Sequence, residues 1–373
     1  MKADEAALAT SIDAVEALGP PDPVAMADAA AILDALTKPP GSLGRLEHLA
    51  VQLAGITAIP RPTLRDRAIV VAAADHGVAR QGVSAYPAEV TTQMVRNFLA
   101  GGAAINTLGA MVGASVMVID VGVAGSISDA APEGGLGARL IRARVRPGTD
   151  DMTTGAAMSR AEALRAVAVG LEASGSLQES GVELIGVGEM GIGNTTAASA
   201  ITAAMSGLAP DRVTGHGTGI DEATHARKVD VVTRALERHR PDPAEPIGVL
   251  AAVGGLEIGA LVGVVIGAVA ARIPVVLDGF ITGAAALLAA GLAPGIAPRL
   301  IAGHRSVEPG HAIILERLGL RPVLELDLRL GEGTGAALAI TVIDAAIAVR
   351  DGMATFGSAQ VSGPVERVTP GDR

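Results

Sequence analysis

Beyond Pro62 the chain adopts one recurring pattern: a short apolar, often β-branched run, a glycine or polar residue, then an alanine-rich stretch of helical length. Candidate strands are Ala68–Ala73, Ser115–Asp120, Leu184–Val187, Gly248–Val253 and Pro274–Asp278. These runs are apolar almost without interruption, as a parallel sheet covered on both faces requires. Their alternation with helices predicts an α/β protein with a Rossmann-like, mostly parallel sheet and helices on both faces. Ligands in such folds bind beyond the carboxyl ends of the strands, so the loops there carry the functional weight.

The first sixty residues differ. They read as helices Met1–Leu18, Ala25–Leu36 and Leu43–Ile56, broken at Pro20–Pro23 and closed by Pro60 and Pro62. The expected division is a small helical domain over 1–59, joined by C-terminal elements, a large α/β domain over 60–345, and a polar, poorly ordered tail over 351–373. With 48 glycines, one tyrosine, three phenylalanines and no tryptophan, the core must be Ala, Val, Leu and Ile packed around close-approaching backbones.

Composition also excludes several functions. A net charge of −10 without a basic cluster argues against nucleic acid as a partner. The chain has no cysteine, hence no disulfide, thiolate metal site or cysteine nucleophile. The N-terminus, with Asp4 and Glu5, lacks the layout of a signal peptide, so a cytoplasmic location is expected. Ile247–Ala271 is long and apolar enough to suggest a membrane span. Glu257 near its middle and six interrupting glycines favour a buried helix of a large core instead.

The sharpest motif is G-V-G-E-M-G-I-G-N-T-T, Gly186 to Thr196, which follows a candidate strand and opens an alanine-rich helix with Asn194 placed as N-cap. Such a turn presents backbone N–H groups and the positive end of a helix dipole, a ready phosphate site. Gly186, Gly188 and Gly191 also satisfy G-x-G-x-x-G, so an NAD-dependent oxidoreductase is one alternative. Glu189 would set a negative charge beside a pyrophosphate, which weakens that reading. A non-enzymatic nucleotide-binding module is the other alternative. In V-V-L-D-G-F-I-T-G, Asp278 follows a strand as in transferases that use phosphoribosyl pyrophosphate, but Gly279 stands where a second acid would be needed. Glu332, between Gly331 and Gly333 in L-R-L-G-E-G-T-G-A-A, projects a carboxylate from bare backbone beside a helix start. Asp75 and His76 in A-D-H-G-V, taken alone, read as a turn cap and a satisfied histidine rather than as a functional pair. No metal-ligand spacing such as H-x-x-x-H appears, and no metal or cofactor is expected.

Taken in order, the motifs resemble one family. They are K-P-P-G-S-L-G-R-L-E (Lys38–Glu47), A-D-H-G-V, G-V-S-A-Y-P with E-V-T-T-Q-M-V, G-G-A-A-I-N (Gly101–Asn106), the Gly186–Thr196 loop and T-G-H-G-T-G (Thr214–Gly219). V-L-D-G-F-I, H-R-S-V-E-P-G-H (His304–His311) and the Glu332 loop complete the set. Together they span about Lys38 to Ala337 and resemble the nicotinate-nucleotide–dimethylbenzimidazole phosphoribosyltransferases of cobalamin biosynthesis. His216 departs from that pattern, where arginine is more usual.

The resemblance implies transfer of a 5-phosphoribosyl group from nicotinate mononucleotide to 5,6-dimethylbenzimidazole by a homodimer. It implies that Glu332 is the general base, with Glu189 and Lys228 supporting it in the catalytic site. Phosphate and nucleotide contacts would come from Gly191, Gly193, Asn194, Thr195, Thr196, Gly217, Thr218, Arg329 and Gly331. Ser84, Tyr86 and Gln93 would line the benzimidazole pocket.

Overall fold

The structure is a computed structural model that describes residues 1–127 and 136–363. Among these residues six strands form one sheet: β1 (Arg67–Ala74), β2 (Ala114–Gly122), β3 (Arg139–Arg142), β4 (Leu184–Met190), β5 (Val275–Leu277) and β6 (Leu300–Ala302). Every pairing is parallel, and the spatial order is β3-β2-β1-β4-β5-β6. This is the Rossmann order, with its switch point between β1 and β4. Four of the five strands read from sequence are present. The fifth, Gly248–Val253, is instead part of a helix, Pro246–Val253. A short apolar run fits either state, and Pro246 at the first helical position suits a helix start.

The apolar segment Ile247–Ala271 is therefore two helices, Pro246–Val253 and Leu256–Ala270, separated at Gly254 and Gly255. Among the described residues no helix is long and apolar enough to cross a membrane. The second helix packs against Arg160–Glu179 at backbone-to-backbone range. A methyl group on Gly170 would collide with the Ala260 carbonyl, and one on Gly263 with the Val167 carbonyl. A core this tight has no room for large rings between these helices, which is the structural counterpart of the aromatic-poor composition.

The chain divides into a larger unit, Met1–Pro20 with Leu64–Ile340, and a smaller one, Pro21–Thr63 with the chain from Thr341 on. The helix Lys2–Ala17 differs from the sequence reading: it belongs to the larger unit, where Leu8 and Val15 join the core that also contains the sheet. Within the smaller unit, helices Pro23–Asp34 and Arg45–Thr57 pack through Ala25, Ala29 and Ala54. The motif Lys38–Glu47 is structural here. Lys38 and Glu47 form a buried 2.9 Å ion pair, and Glu47 also accepts N–H bonds from Leu43 (2.8 Å) and Gly41 (3.2 Å).

The segment expected to be a loose tail from 351 is built in as far as the helical turn Phe356–Ala359. Phe356 N–H donates to the Ala35 carbonyl at 3.0 Å, and Thr37 N–H to the Ala354 carbonyl at 2.9 Å. Residues 364–373 of that expected tail lie outside the described residues.

Candidate active site

Three strands deliver side chains to one place: β4 ends on Glu189 and Met190, β5 is followed by Asp278, and β6 leads to His304, while β1 runs into Asp75 and His76 beside them. A cavity of about 650 Å³ opens beyond these carboxyl ends, at the switch point.

One wall is the turn after β4. Gly193 caps the helix Asn194–Ser206 with φ +97°, a left-handed conformation that a side chain would strain. Asn194 is thus the first helical residue, not the N-cap expected. Its amide donates instead to the Glu189 carboxylate. Gly186 and Gly188 lie inside β4 rather than in the turn, so the dinucleotide fingerprint does not occupy its required place. Gly191, Gly193, Asn194 and Thr195 line the cavity, and the helix dipole favours an anion there. Thr196 does not line it; its hydroxyl is buried behind the turn without a partner. Lys228 is fully buried and ties two loops together, donating to Thr195 Oγ1 (2.9 Å) and to the Gly215 carbonyl (3.2 Å). Burial lowers its ammonium to about 8, partly opposed by Glu308.

The opposite wall carries Glu332. Its backbone has φ +63°, between Gly331 at +83° and Gly333 at +90°. A non-glycine residue in the left-handed region is strained, a cost that surrounding structure must hold in place. Asp278 supplies the hold, accepting N–H bonds from Gly333 (3.0 Å) and Gly335 (2.7 Å). Asp278 is thereby a brace for the Glu332 loop, a role its position in the sequence did not disclose. The Glu332 carboxyl is 5 % exposed, and its Oε2 has no partner. Burial raises it to about 7, opposed by an N–H bond from Ile105 and reinforced by the charge of Asp278.

Glu189 sits beside this loop: a side chain on Gly331 would collide with its carboxylate, and the Glu332 N–H donates to the Glu189 carbonyl at 3.3 Å. Enclosure, then Asp278 and Glu257, push Glu189 well above the usual carboxylate range. Beneath the turn, His76 Nε2 pairs with Glu257 Oε1 at 2.7 Å, both buried. Asp75 accepts the Ala124 N–H at 2.7 Å, so both residues of that motif are structural supports.

Ser84 and Tyr86 line the cavity, as does Arg329. Gln93 does not. It is exposed on the helix Glu89–Ala100, which contributes Val90 and Met94 instead. Gln93 points about 100° around the helix from Met94. Gly217, Thr218 and Gly331 are at the wall, and Glu308 holds the Gly217 N–H through Oε1 at 2.7 Å. His304, Ser306 and Glu308 also line it. Their motif was visible in the sequence, but its spacing says nothing about which residues face a cavity.

A parallel sheet in Rossmann order, with an anion-ready turn facing a raised, strained carboxyl, defines an α/β enzyme that handles nucleotides. Residues 18–361 match a family model described as phosphoribosyltransferase. The chain is 55 % identical over 345 residues to the nicotinate-nucleotide–dimethylbenzimidazole phosphoribosyltransferase of Chloroflexus aggregans, covering 92 % of this chain and 96 % of that one. It is 52 % identical over 354 residues to the protein of that name from Salinispora tropica, covering 93 % and 97 %. The crystal structure of CobT from Thermus thermophilus is similar with a TM-score of 0.86 at 49 % identity, covering 92 % of this chain and all of that one. The chain belongs to the nicotinate-nucleotide–dimethylbenzimidazole phosphoribosyltransferase family.

Proposed function

We propose that this enzyme transfers the 5-phosphoribosyl group of nicotinate mononucleotide to 5,6-dimethylbenzimidazole, in the nucleotide-loop branch of cobalamin biosynthesis. The products are nicotinate and α-ribazole 5′-phosphate. One ring nitrogen of the acceptor forms a bond to C1′ while the bond from C1′ to the nicotinate nitrogen breaks. The electron pair of that bond returns to the pyridine ring, and C1′ inverts from β to α.

The observation that carries this reading is Glu332: a buried carboxyl with a free oxygen, raised to about 7 and facing the cavity. As the acceptor attacks, positive charge develops on it and acidifies the proton on its second nitrogen. Glu332 takes that proton, a contribution typically worth ~10²–10⁴-fold. The turn Gly191–Thr195, with Gly217, Thr218, Gly331 and Arg329, holds the donor's phosphate and ribose. Lys228 supports that turn from behind through the Thr195 hydroxyl. Ser84 and Tyr86, together with Val90 and Met94, bound the acceptor, and Gln93 lies at the outer edge of their helix. Incubation with nicotinate mononucleotide and a panel of bases, with products identified by mass, tests the reaction. Release of nicotinate without a new nucleotide sinks it.

No divalent ion is required for turnover, because the donor carries no pyrophosphate and its leaving group departs as a neutral pyridine ring. Turnover abolished by EDTA and restored by magnesium would overturn this. The assembly is a homodimer, supported by a chain that is 49 % hydrophobic. Light scattering at the single-chain mass of 37.1 kDa, at micromolar concentration, counts against it.

A further inference from the structure

The loop Thr214–Gly219 stands between two cavities. Thr218 lines the active-site cavity, His216 lines a second cleft of about 620 Å³ together with His225, and Gly217, Glu308 and Arg329 line both. On the side of that second cleft, one ligand atom each from His216, Glu222 and His225 lies within 4.8 Å of the other two. We propose that these three residues bind one divalent first-row ion of the zinc type, tying the Thr214–Gly219 loop to the helix Glu222–His239.

Three features support a site rather than a chance cluster. Glu222 and His225 are three residues apart on one helix, which sets both on the same face. The His225 ring donates its Nε2–H to the Thr214 carbonyl at 2.9 Å, because a carbonyl can only accept. Nδ1 is left with the lone pair that a metal needs, and a ring N–H held by a backbone carbonyl is the usual support of a ligating histidine. His216 Nε2 lies 3.0 Å from Glu222 Oε1. That separation is close to the edge of about 3.3 Å between neighbouring ligands at zinc–nitrogen and zinc–oxygen distances. The ion would take the place of the shared proton, which is released to solvent. The two imidazoles stack at 4.3 Å with their planes 11° apart, so binding one ion requires the His216 ring, exposed on its loop, to turn out of the stack. Two imidazoles and a carboxylate are a zinc-type donor set.

An ion held here fixes the loop that presents Gly217 and Thr218 to the cavity. Resting on the proposed function, occupancy is expected to lower the KM for nicotinate mononucleotide about threefold, with little change in kcat. It is not part of the chemistry, so turnover persists in EDTA.

Calorimetric titration of the metal-stripped full-length protein with zinc chloride tests the site without reference to activity. One ion per chain with micromolar affinity is expected, weakened at least about tenfold by His216→Asn and by Glu222→Gln. Cobalt(II) as a second probe should give the visible absorption of a four-coordinate ion in the unaltered protein and lose it in both variants. Binding that neither substitution weakens, or no binding at micromolar zinc, overturns the site. A Glu222→Gln protein should turn over normally in EDTA and show no KM response to zinc. Tight zinc binding with an unchanged KM in the unaltered protein overturns the coupling to the loop.

Discussion

Glu189 and Glu332 are two buried glutamates among glycines, side by side at the switch point, and they are held in opposite ways. Glu189 lies at the end of a regular strand, enclosed, with the Asn194 amide on its carboxylate and acids around it. Glu332 lies in a strained turn, braced through its neighbours by Asp278, with one oxygen left without a partner. Both are raised by burial, Glu332 to about 7, where a carboxyl can exchange its proton at working pH. A similar sequence context thus yields an enclosed carboxyl held by an amide in one case and a carboxyl with a free oxygen in the other. Backbone conformation and partner count make the difference.

The largest effect expected from breaking this asymmetry is Glu332→Gln. It should lower kcat by at least ~10²-fold while both substrates still bind and the Tm barely moves. Near-normal turnover would end the assignment. Next comes pH: the base works deprotonated, so kcat should be flat above about 7 and fall about tenfold per unit below it. The acid limb should vanish from the residual rate of Glu332→Gln; a limb that survives unchanged belongs to another group. A smaller effect is expected at the phosphate turn. Gly193→Val strains a residue at φ +97° and should raise the KM for nicotinate mononucleotide about tenfold, with the acceptor's KM little changed. Equal losses for both substrates would point to collapse of the turn. The smallest effect is Glu189→Gln. Gln keeps the side chain's length and an acceptor for Asn194, so kcat should fall less than about tenfold. A loss matching that of Glu332→Gln would erase the distinction.

Much of this was legible in the residues. β1, β2, β4 and β5 were readable because buried parallel strands leave continuous apolar runs, and the loops after β4 and around Glu332 were visible as glycine-flanked acids. β3, with arginine at both ends, and three-residue β6 carry no such signature. Gly248–Val253 was ambiguous because a buried helix and a buried strand look alike over six residues. The placement of Gln93 and Thr196 away from the cavity depends on helix rotation and on which side of a turn faces inward. The brace from Asp278 spans 55 and 57 residues, and no local pattern announces such bonds. The His216–Glu222–His225 cluster escaped a search for regular ligand spacing because a loop residue completes a helical pair.

The tight core, free of tyrosine and tryptophan, has one further consequence. With no tryptophan, the chain's single tyrosine, Tyr86, stands half-exposed at the rim of the cavity. Its ultraviolet emission therefore reports on the binding site alone, free of signal from the interior. A substrate base settling against that ring should quench or shift the light directly, so occupancy can be followed in the unlabelled protein. Unfolding, by contrast, will be nearly dark to the same lamp.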